Sequence, residues 1–247
     1  MSFAELQTVL ELGLICSLTV LALFLSYSML NVCDLSTDGC FTLGATMGAM
    51  VAAAGHPFLS LSAAMLAGVC SGFVVALLQT KLGINSLLAG IIVNTGLYSV
   101  NIAIMSGAAR INLTKTPTVF SMVKSVLAGT PLAGWHITVV AGTAVILAVV
   151  LLTLFLNTRL GLAIRATGNN PDMVRSSSIN PAFTTIVGLC VANALTGLSG
   201  CLMAQAQQST EINIGSGMVT IALASLLIGG TLLGRGGIFT RAVGMVL

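Results

Sequence analysis

The stretch NTRLGLAIRATGNNPDMVRSSSINP, residues 157–181, interrupts an otherwise apolar chain with polar and helix-breaking residues. It contains three arginines, one aspartate and two prolines, although only 6% of the 247 residues are charged. Long apolar runs flank the stretch on both sides. We therefore interpret residues 157–181 as a water-exposed loop that joins two membrane-spanning helices.

The composition indicates a membrane protein. Hydrophobic residues make up 56% of the chain and its mean hydropathy is +1.07, whereas soluble domains keep about a quarter of their residues charged. Apolar runs recur at about the 20-residue length that crosses the hydrocarbon core of a bilayer. We predict an all-α, polytopic membrane helix bundle in which residues 1–247 form a single transmembrane domain. The N-terminus lacks a basic n-region and a small-residue cleavage site, so we expect no removable signal peptide.

Seven apolar runs are predicted as spans, and they cover residues 9–30, 40–54, 58–80, 87–105, 136–156, 182–204 and 218–233. An eighth run begins near Ala242, but only six residues follow Arg241. Six residues are too few to cross a bilayer. We therefore expect that the C-terminus is truncated within a helix and that the protein has about eight or more transmembrane helices.

The basic residues predict which side of the membrane each loop faces, because cytoplasmic loops are enriched in Lys and Arg. If the spans alternate, one side holds Lys81, Arg159, Arg165, Arg175, Arg235 and Arg241, and the other holds Arg110, Lys115 and Lys124. The first side is therefore predicted to be cytoplasmic. This places the N-terminus and the loop of residues 106–135 outside, and the polar stretch 157–181 inside.

The polar stretch contains the signals of a short helix. Asn170 has a side chain suited to capping a helix N-terminus, and Pro171 is favoured at the first helical position. Asp172 would complement the helix dipole in the first turn. The predicted helix runs for about two turns, and Pro181 begins the next span.

Glycine spacing within the spans predicts close helix packing. Three pairs are four residues apart and so share one helix face: Gly44 with Gly48, Gly68 with Gly72, and Gly230 with Gly234. Because glycine has no side chain, another helix can approach such a face closely. In the polar stretch, Gly161 and Gly168 are instead expected to allow sharp changes of chain direction.

Several amide and hydroxyl side chains fall inside the predicted spans, namely Asn94, Thr95, Asn101, Asn193 and Thr196, with Gln205 near a span end. An amide facing lipid would be unsatisfied, so these residues are expected to face the bundle interior, a partner subunit or water. Two interpretations stay open for each, an interhelical hydrogen bond and a place along a polar path. No charged residue lies well inside a span, although Asp34 and Asp38 flank the second one. This pattern disfavours a carrier driven by protons or sodium ions.

The polar stretch resembles the cytoplasmic loop of permease subunits in the branched-chain amino acid and ribose class of ABC importers. The matching positions are Thr158, Arg159, Gly161, Arg165, Gly168, Asn169, Ile179 and Asn180. Ser178 departs from the pattern, because the family usually has glycine there. DLSTDGCFTLGA at 34–45 and LIGGTLLGRGG at 227–237 resemble the family's Asp-Leu-Ser element and its late Gly-Gly-Thr loop. The three stretches cover most of the chain in the expected order.

The resemblance implies a permease in the inner membrane of a bacterial cell, working as a homodimer or as a heterodimer with a closely related chain. It also implies a separate ABC ATPase subunit and an extracytoplasmic solute-binding protein as partners. The loop residues implied to couple to the ATPase are Thr158, Arg159, Gly161, Arg165, Gly168, Asn169, Asn170, Pro171, Asp172 and Arg175. Among the polar side chains within the spans, the candidates for lining the translocation path are Asn94, Thr95, Asn101 and Asn193.

The implied cargo is a small solute, an amino acid with a branched or aromatic side chain, with nucleosides or sugars as the alternative. The chain has no Gly-x-x-x-x-Gly-Lys-Ser/Thr phosphate-binding loop, so ATP is expected to bind to the partner subunit. We expect no cofactor, no catalytic residue, no metal site and no nucleic-acid partner. The separation of His56 from His136 supports an interfacial role for both, not metal ligation.

Other interpretations stay open from the sequence. The arginines of 157–181 are also compatible with an ordinary positive-inside loop, and Arg110, Lys115 and Lys124 either meet a binding protein or are merely solvated. An integral-membrane enzyme acting on lipid would need an acid/base set, for which Asp34, Asp38 and His56 are the candidates. An autonomous channel or carrier would leave the polar stretch unexplained.

Overall fold

A computed structural model describes residues 3–114, 116–126, 134–233 and 238–246. Its α-helices are α1 Phe3–Leu23, α2 Thr37–Ala53, α3 Pro57–Thr80, α4 Ser86–Ile104, α5 Val119–Val126, α6 His136–Asn157, α7 Arg159–Asn169, α8 Pro171–Ser176, α9 Pro181–Ala206, α10 Met218–Leu233 and α11 Ile238–Val246. A π-helical segment, Phe24–Met29, continues α1, and two short strands are β1 Arg110–Asn112 and β2 Ser209–Glu211.

The all-α, polytopic architecture is confirmed, because each predicted span coincides with a helix. Among the described residues, five helical segments are long and apolar enough to cross a membrane: Glu5–Met29, Pro57–Thr80, Ser86–Ile104, His136–Asn157 and Pro181–Ala206. Helix α2 has only 17 residues and α10 only 16. The prediction of about eight or more crossings is therefore not confirmed.

Helix α9 lies at the centre of the bundle, and it packs so closely against α2 that the two backbones are in contact. A side chain added at Gly44 would overlap the backbone of Gly197, and one added at Gly48 would overlap Cys201. From the first contact to the second, the residue number rises by four on both helices. Helices α2 and α9 therefore run parallel. The predicted close approach at Gly44 and Gly48 is confirmed.

Helix α3 packs on α9 in the same way but runs antiparallel to it. A side chain added at Gly68 would overlap the backbone of Asn193, and one added at Gly72 would come within 2.5 Å of the Leu189 carbonyl oxygen. The predicted approach at this second pair is confirmed as well. The third pair is different: Gly230 has open space where its side chain would be, and Gly234 lies outside the described residues.

Helix α2 does not begin at the membrane surface. Near its start, the Cys40 thiol donates to the backbone carbonyl of Asn193, 3.4 Å away, and Asn193 lies near the middle of α9. The preceding residues 30–36 are irregular, yet Asp34 and Ser36 are buried. Irregular backbone is tolerated at membrane depth only where protein or water satisfies it. The second predicted span is therefore a helix that starts inside the bundle, which explains why its apolar run is short.

The two long loops lie at opposite ends of α1. At its beginning, the Gln7 side chain donates to the carbonyl of Gly134, 2.7 Å away, and Thr138 donates to Glu11 over 3.1 Å. At its other end, Gly168 of the polar stretch packs on the backbone of residues 29–30. The N-terminus and the loop 106–135 thus share one side, as the alternation of spans predicts. Which side faces the cytoplasm stays a prediction from the basic residues.

The loop 106–135 contains one short helix among its described residues, α5 Val119–Val126. It also contains β1, which pairs antiparallel with β2 so that Arg110 lies opposite Glu211. The Arg110 guanidinium donates to the Ser209 hydroxyl, 3.0 Å away. This pairing joins the loop to the far end of α9. Lys115 lies outside the described residues.

Candidate functional site

The polar stretch folds into two successive helices, α7 and α8. Gly161 and Gly168 both lie inside α7, so the predicted changes of chain direction at these glycines are wrong. A side chain at Gly161 would overlap the backbone of residues 155–156, and one at Gly168 would overlap the Met29 carbonyl oxygen. The glycines therefore let α7 lie directly on the ends of α6 and α1.

Polar and apolar contacts hold α7 in this position. The Thr158 hydroxyl caps its N-terminus by accepting from the Gly161 N–H, 3.3 Å away. On the buried face, the hydroxyls of Thr167 and Thr184 form a hydrogen bond of 2.8 Å. Ile164 of the same helix is fully buried. Because Thr184 belongs to α9, α7 is connected directly to the central helix.

Helix α8 begins as predicted. The Asn170 side chain accepts from the N–H groups of Asp172 and Met173, both 3.1 Å away, and Pro171 occupies the first helical position. An Asn–Pro pair starts α9 in the same way, because Asn180 accepts from the Ala182 N–H over 3.0 Å. Helix α8 has six residues, slightly fewer than the predicted two turns.

The end of α8 explains why Ser178 is an unusual residue there. The Ser178 N–H donates to the Arg175 carbonyl and the Ile179 N–H to the Val174 carbonyl, both over 3.2 Å. This pattern is the Schellman motif, whose penultimate residue adopts a left-handed conformation and is usually glycine. Ser178 has φ +61°. The departure from the family pattern therefore falls on a position where a side chain costs about 1 kcal/mol.

The outer face of α8 combines charge with an exposed apolar side chain. Val174 is 3% exposed and anchors the helix, whereas its neighbour Met173 is 68% exposed. Asp172 and Arg175 are exposed on the same short helix, and Arg165 of α7 is half-buried. Among the described residues, none of these three charged side chains forms an ion pair. Their charges are thus free to meet a partner.

A second candidate site is a polar cavity of about 300 Å³ between α2, α4 and the turn of residues 212–217. Three of the four predicted path residues, Asn94, Thr95 and Asn101, line it. The other polar side chains of its wall are Asp38, Thr42, Tyr98, Asn213 and Ser216. Since Asn94 and Asn101 are two turns apart on α4, they share the helix face turned to α2.

Asn101 is the most enclosed polar residue of this cavity. It is 1% exposed, and its Nδ2 donates to the Gly39 carbonyl of α2, 3.3 Å away. Its Oδ1 is buried and has no hydrogen-bond partner among the described residues. The Thr95 hydroxyl, by contrast, donates within its own helix to the Ile91 carbonyl over 2.9 Å. The cavity wall therefore contains one unsatisfied buried acceptor.

Asp38 has a structural role that the sequence did not indicate. Its carboxylate accepts from the N–H of Gly217 over 3.0 Å and from the N–H of Val219 over 2.8 Å. Helix α10 begins at Met218, so Asp38 of α2 caps the start of α10. The turn 212–217 is thereby held against α2, which completes the cavity wall.

Asn193 lies apart from the cavity, although the sequence grouped it with the other path residues. It is 1% exposed, and its Nδ2 donates to the Asp34 carboxylate, 2.8 Å away. The other carboxylate oxygen accepts from both the N–H and the hydroxyl of Ser36, 2.8 and 2.6 Å away. Asn193 therefore forms a buried hydrogen bond to the segment that precedes α2, which favours a structural role for it over a place along the path. The sequence singled out Asp34 as a charge beside the second span but gave no sign of its partner on α9.

Gln205 is likewise structural, because its fully buried amide donates to Ser60 over 2.7 Å and accepts from the Val119 N–H over 2.9 Å. These bonds join α9 to α3 and to the loop helix α5. His56 lies at the start of α3 and is not among the hydrogen-bond partners of Asp34 or Asp38.

A larger cavity of about 730 Å³ lies between α3, α6 and α9. Its walls are almost entirely apolar, with residues such as Leu147, Leu151 and Leu195. Such a lining suits a lipid chain or a neighbouring helix, because it offers few partners to a polar solute. The smaller polar cavity is therefore the candidate solute site.

Comparison with known proteins gives a consistent result. Residues 6–247 match a family model described as "Branched-chain amino acid transport system / permease component". The chain is 35% identical over 226 residues to a tyrosine transport system permease protein of Clostridioides difficile, covering 91% of this chain and 72% of the relative. An uncharacterised protein of Rickettsia prowazekii is 34% identical over 224 residues, covering 91% and 76%. The D-allose transport system permease protein of Escherichia coli is 33% identical over 103 residues, or 41% and 32% of the two chains. No solved structure matches the chain.

Proposed function

Because the chain belongs to the family of permease components of branched-chain amino acid transport systems, we propose that it forms the translocation path of an ATP-driven importer for an amino acid. It is a multi-pass protein of the inner membrane and a transport permease of the ABC class. The observation that carries the proposal is the family match over residues 6–247, together with the capped polar helices at one end of the bundle.

The helices α7 and α8 are the proposed contact with the ATPase subunit. The exposed Met173 would enter an apolar groove of the ATPase, Arg165 and Arg175 would meet acidic groups, and Asp172 a basic one. An ordinary positive-inside loop needs only solvated arginines. It does not need two capped helices and an exposed methionine, and this difference favours docking.

Contacts within the chain offer a route from these helices to the polar cavity. Helix α7 rests on residues 29–30 through Gly168 and on α9 through the bond between Thr167 and Thr184. Asn193 of α9 in turn holds Asp34, which precedes α2 by three residues. Because packed elements transmit displacement as rigid units, a movement of α7 would shift the start of α2 and hence one wall of the cavity.

Tyrosine is the first candidate cargo, since the relative that matches over 91% of this chain is named a tyrosine transport system permease protein. A sugar is the second candidate, because a D-allose permease matches over 41% of the chain. Nothing in the fold favours a nucleoside. The lining amides Asn94 and Asn101 with Thr95 would then form part of the path.

The remaining partners follow from the class of transporter. A solute-binding protein would dock on the side of loop 106–135, where Arg110 and Lys124 could meet its acidic groups. A second permease chain, identical or closely related, would complete the path. Exposed apolar side chains on α4, such as Ile91 at 49% and Ile92 at 53%, are available to lipid or to that chain.

The test is reconstitution of the permease in proteoliposomes with its ATPase and binding protein. Uptake of labelled L-tyrosine, L-leucine and D-allose is measured with ATP and with a non-hydrolysable analogue. We expect uptake of an amino acid that requires both ATP and the binding protein. Uptake of D-allose alone would mean that the cargo is a sugar and not an amino acid. Uptake that does not depend on ATP would contradict the proposal of an ATP-driven importer.

A further inference from the structure

We propose that the polar cavity between α2, α4 and residues 212–217 binds the ammonium group of the transported solute, with Asn101 Oδ1 as its main acceptor. This inference rests on the proposed function for the solute's being an amino acid. The site itself depends only on the donors and acceptors of the cavity wall.

The orientation of the Asn101 amide follows from its surroundings. Its Nδ2 donates to the Gly39 carbonyl, 3.3 Å away, and the reverse orientation would place two oxygen atoms against each other. Oδ1 is therefore the free end of a side chain that is 1% exposed, and it has no partner among the described residues. A buried acceptor without a donor is unfavourable. A bound N–H group would remove that penalty.

Three further side chains of the wall add acceptors, beside amide and hydroxyl groups that can also donate, namely those of Asn94, Tyr98, Asn213 and Ser216. The hydroxyls of Thr42 and Thr95 already donate to the carbonyls of Asp38 and Ile91, 3.0 and 2.9 Å away, so they present lone pairs to the cavity. The Asp38 carboxylate accepts two backbone N–H groups, whereas its two oxygens can accept about four. An ammonium group that approaches this wall thus finds several further acceptors beside Asn101 Oδ1.

The charge of the wall favours a cation. Asp38 is negative, and among the described lining residues there is no Lys, Arg or His. The N-terminal ends of α2 and α10 carry partial positive charge, but Asp38 already satisfies the N–H groups at the start of α10. A solute carboxylate would therefore meet Asp38 with no cation to compensate it, whereas an ammonium group would meet Asp38, Asn101 and the threonine oxygens.

The size of the cavity fits one small solute. Its volume of about 300 Å³ lies at the small end of ligand pockets. Tyr98 is 49% exposed on the same wall, and its ring offers an apolar surface to a solute side chain. The ammonium group would then lie at the enclosed end near Asn101.

The experiment uses a reporter thiol introduced into the cavity by the substitution Thr95→Cys. The complex of this variant permease with its ATPase, without nucleotide or binding protein, is placed in nanodiscs. The rate at which a thiol reagent modifies the peptide that contains position 95 is followed by mass spectrometry. The probes are tyramine, which has the ammonium group without a carboxylate, and 3-(4-hydroxyphenyl)propionate, which has the carboxylate without the ammonium group.

We expect tyramine to slow the modification and 3-(4-hydroxyphenyl)propionate to leave it unchanged. Adding Asn101→Leu should raise the half-protecting concentration of tyramine about tenfold or more, since a hydrogen bond to a charged group is lost. Asn101→Asp keeps an acceptor, and in its protonated form the second oxygen donates to the Gly39 carbonyl in place of Nδ2. This variant should preserve protection, which keeps the test valid if the leucine variant fails to fold. Asn112→Leu, an exposed position in β1, is the matched control and should change nothing.

Equal protection by both probes, protection by neither, or full protection by tyramine in the Asn101→Leu variant would overturn the proposal. The wild-type complex is also assayed for ATP-driven uptake of L-tyrosine and L-leucine. Uptake of an amino acid without tyramine protection would reject the ammonium site alone. Protection without uptake of any amino acid would reject the proposed cargo while leaving an ammonium-binding cavity.

Discussion

The amide of Asn193 in the middle of α9 donates to the buried carboxylate of Asp34, 2.8 Å away, at the irregular segment that precedes α2. The same carboxylate holds the turn into α2 through two bonds to Ser36. Asp34 is 2% exposed. The backbone break between α1 and α2 is thus held by one side chain of the central helix.

Asn193→Leu removes the amide that reaches Asp34 from the central helix and leaves the carboxylate short of a donor. We expect the free energy of unfolding to fall by about 1–3 kcal/mol and uptake to fall in parallel with folded protein. Unfolding in detergent and uptake by reconstituted permease measure the two effects. Asn112→Leu serves as control. If the variant kept its stability but lost uptake, the result would instead support a place for Asn193 along the solute path.

Asn94→Leu is expected to behave in the opposite way. Asn94 lines the polar cavity and is only half-buried. Its replacement therefore removes one polar group from the cavity wall and leaves no buried charge without a partner. Uptake should fall several-fold while the unfolding free energy changes by less than about 1 kcal/mol. Normal uptake by a fully inserted Asn94→Leu permease would contradict the assignment of this residue to the solute path.

Charge reversal in the polar helices tests coupling to the ATPase. Arg165→Glu or Arg175→Glu should place like charges against the acidic groups of the ATPase, and such repulsion costs several kcal/mol across an interface. We expect ATP hydrolysis to continue without uptake, while membrane insertion is unchanged. Lys81→Glu, an exposed position at the end of α3 and outside the polar stretch, should leave the coupling ratio intact. Unchanged uptake in both arginine variants would count against docking through this loop.

Ser178→Gly should stabilise the protein. Ser178 has φ +61° in the Schellman motif that ends α8, and glycine adopts this conformation without a steric penalty. We expect the unfolding free energy to rise by about 0.5–1 kcal/mol. The matched control is Ser177→Gly, because Ser177 has φ −89° and gains nothing from glycine. Equal effects of the two substitutions would show that the left-handed conformation is not responsible.

Gly44→Ala should disrupt the contact between α2 and α9, because the added methyl group would overlap the backbone of Gly197. Overpacking of this kind costs about 1–3 kcal/mol. Gly230→Ala is the control, since Gly230 has open space around it and alanine favours a helix by about 1 kcal/mol. Thermal unfolding of the purified permease should therefore move in opposite directions for the two variants.

Local sequence rules were enough to predict the apolar helices, the cap of α8, the proline start of α9, and the glycine faces of α2 and α3. Each depends on neighbouring residues alone: hydropathy over one span, an Asn–Pro pair at a helix start, and a spacing of four residues on one helix face. The rule that amides in a span face away from lipid also grouped Asn94 with Asn101, and both line the polar cavity. Their place on the solute path stays a prediction.

The irregular segment before α2 and the start of α10, in contrast, are held by contacts between distant parts of the chain. Asp34 meets Asn193 across 159 residues and Asp38 meets Val219 across 181, and no local pattern contains a partner so distant. The same holds for the start of α2 at the level of mid-α9 and for the pairing of β1 with β2. The prediction failed at Gly161 and Gly168 because glycine permits either a turn or a close backbone approach. Only the position of the neighbouring helices distinguishes the two.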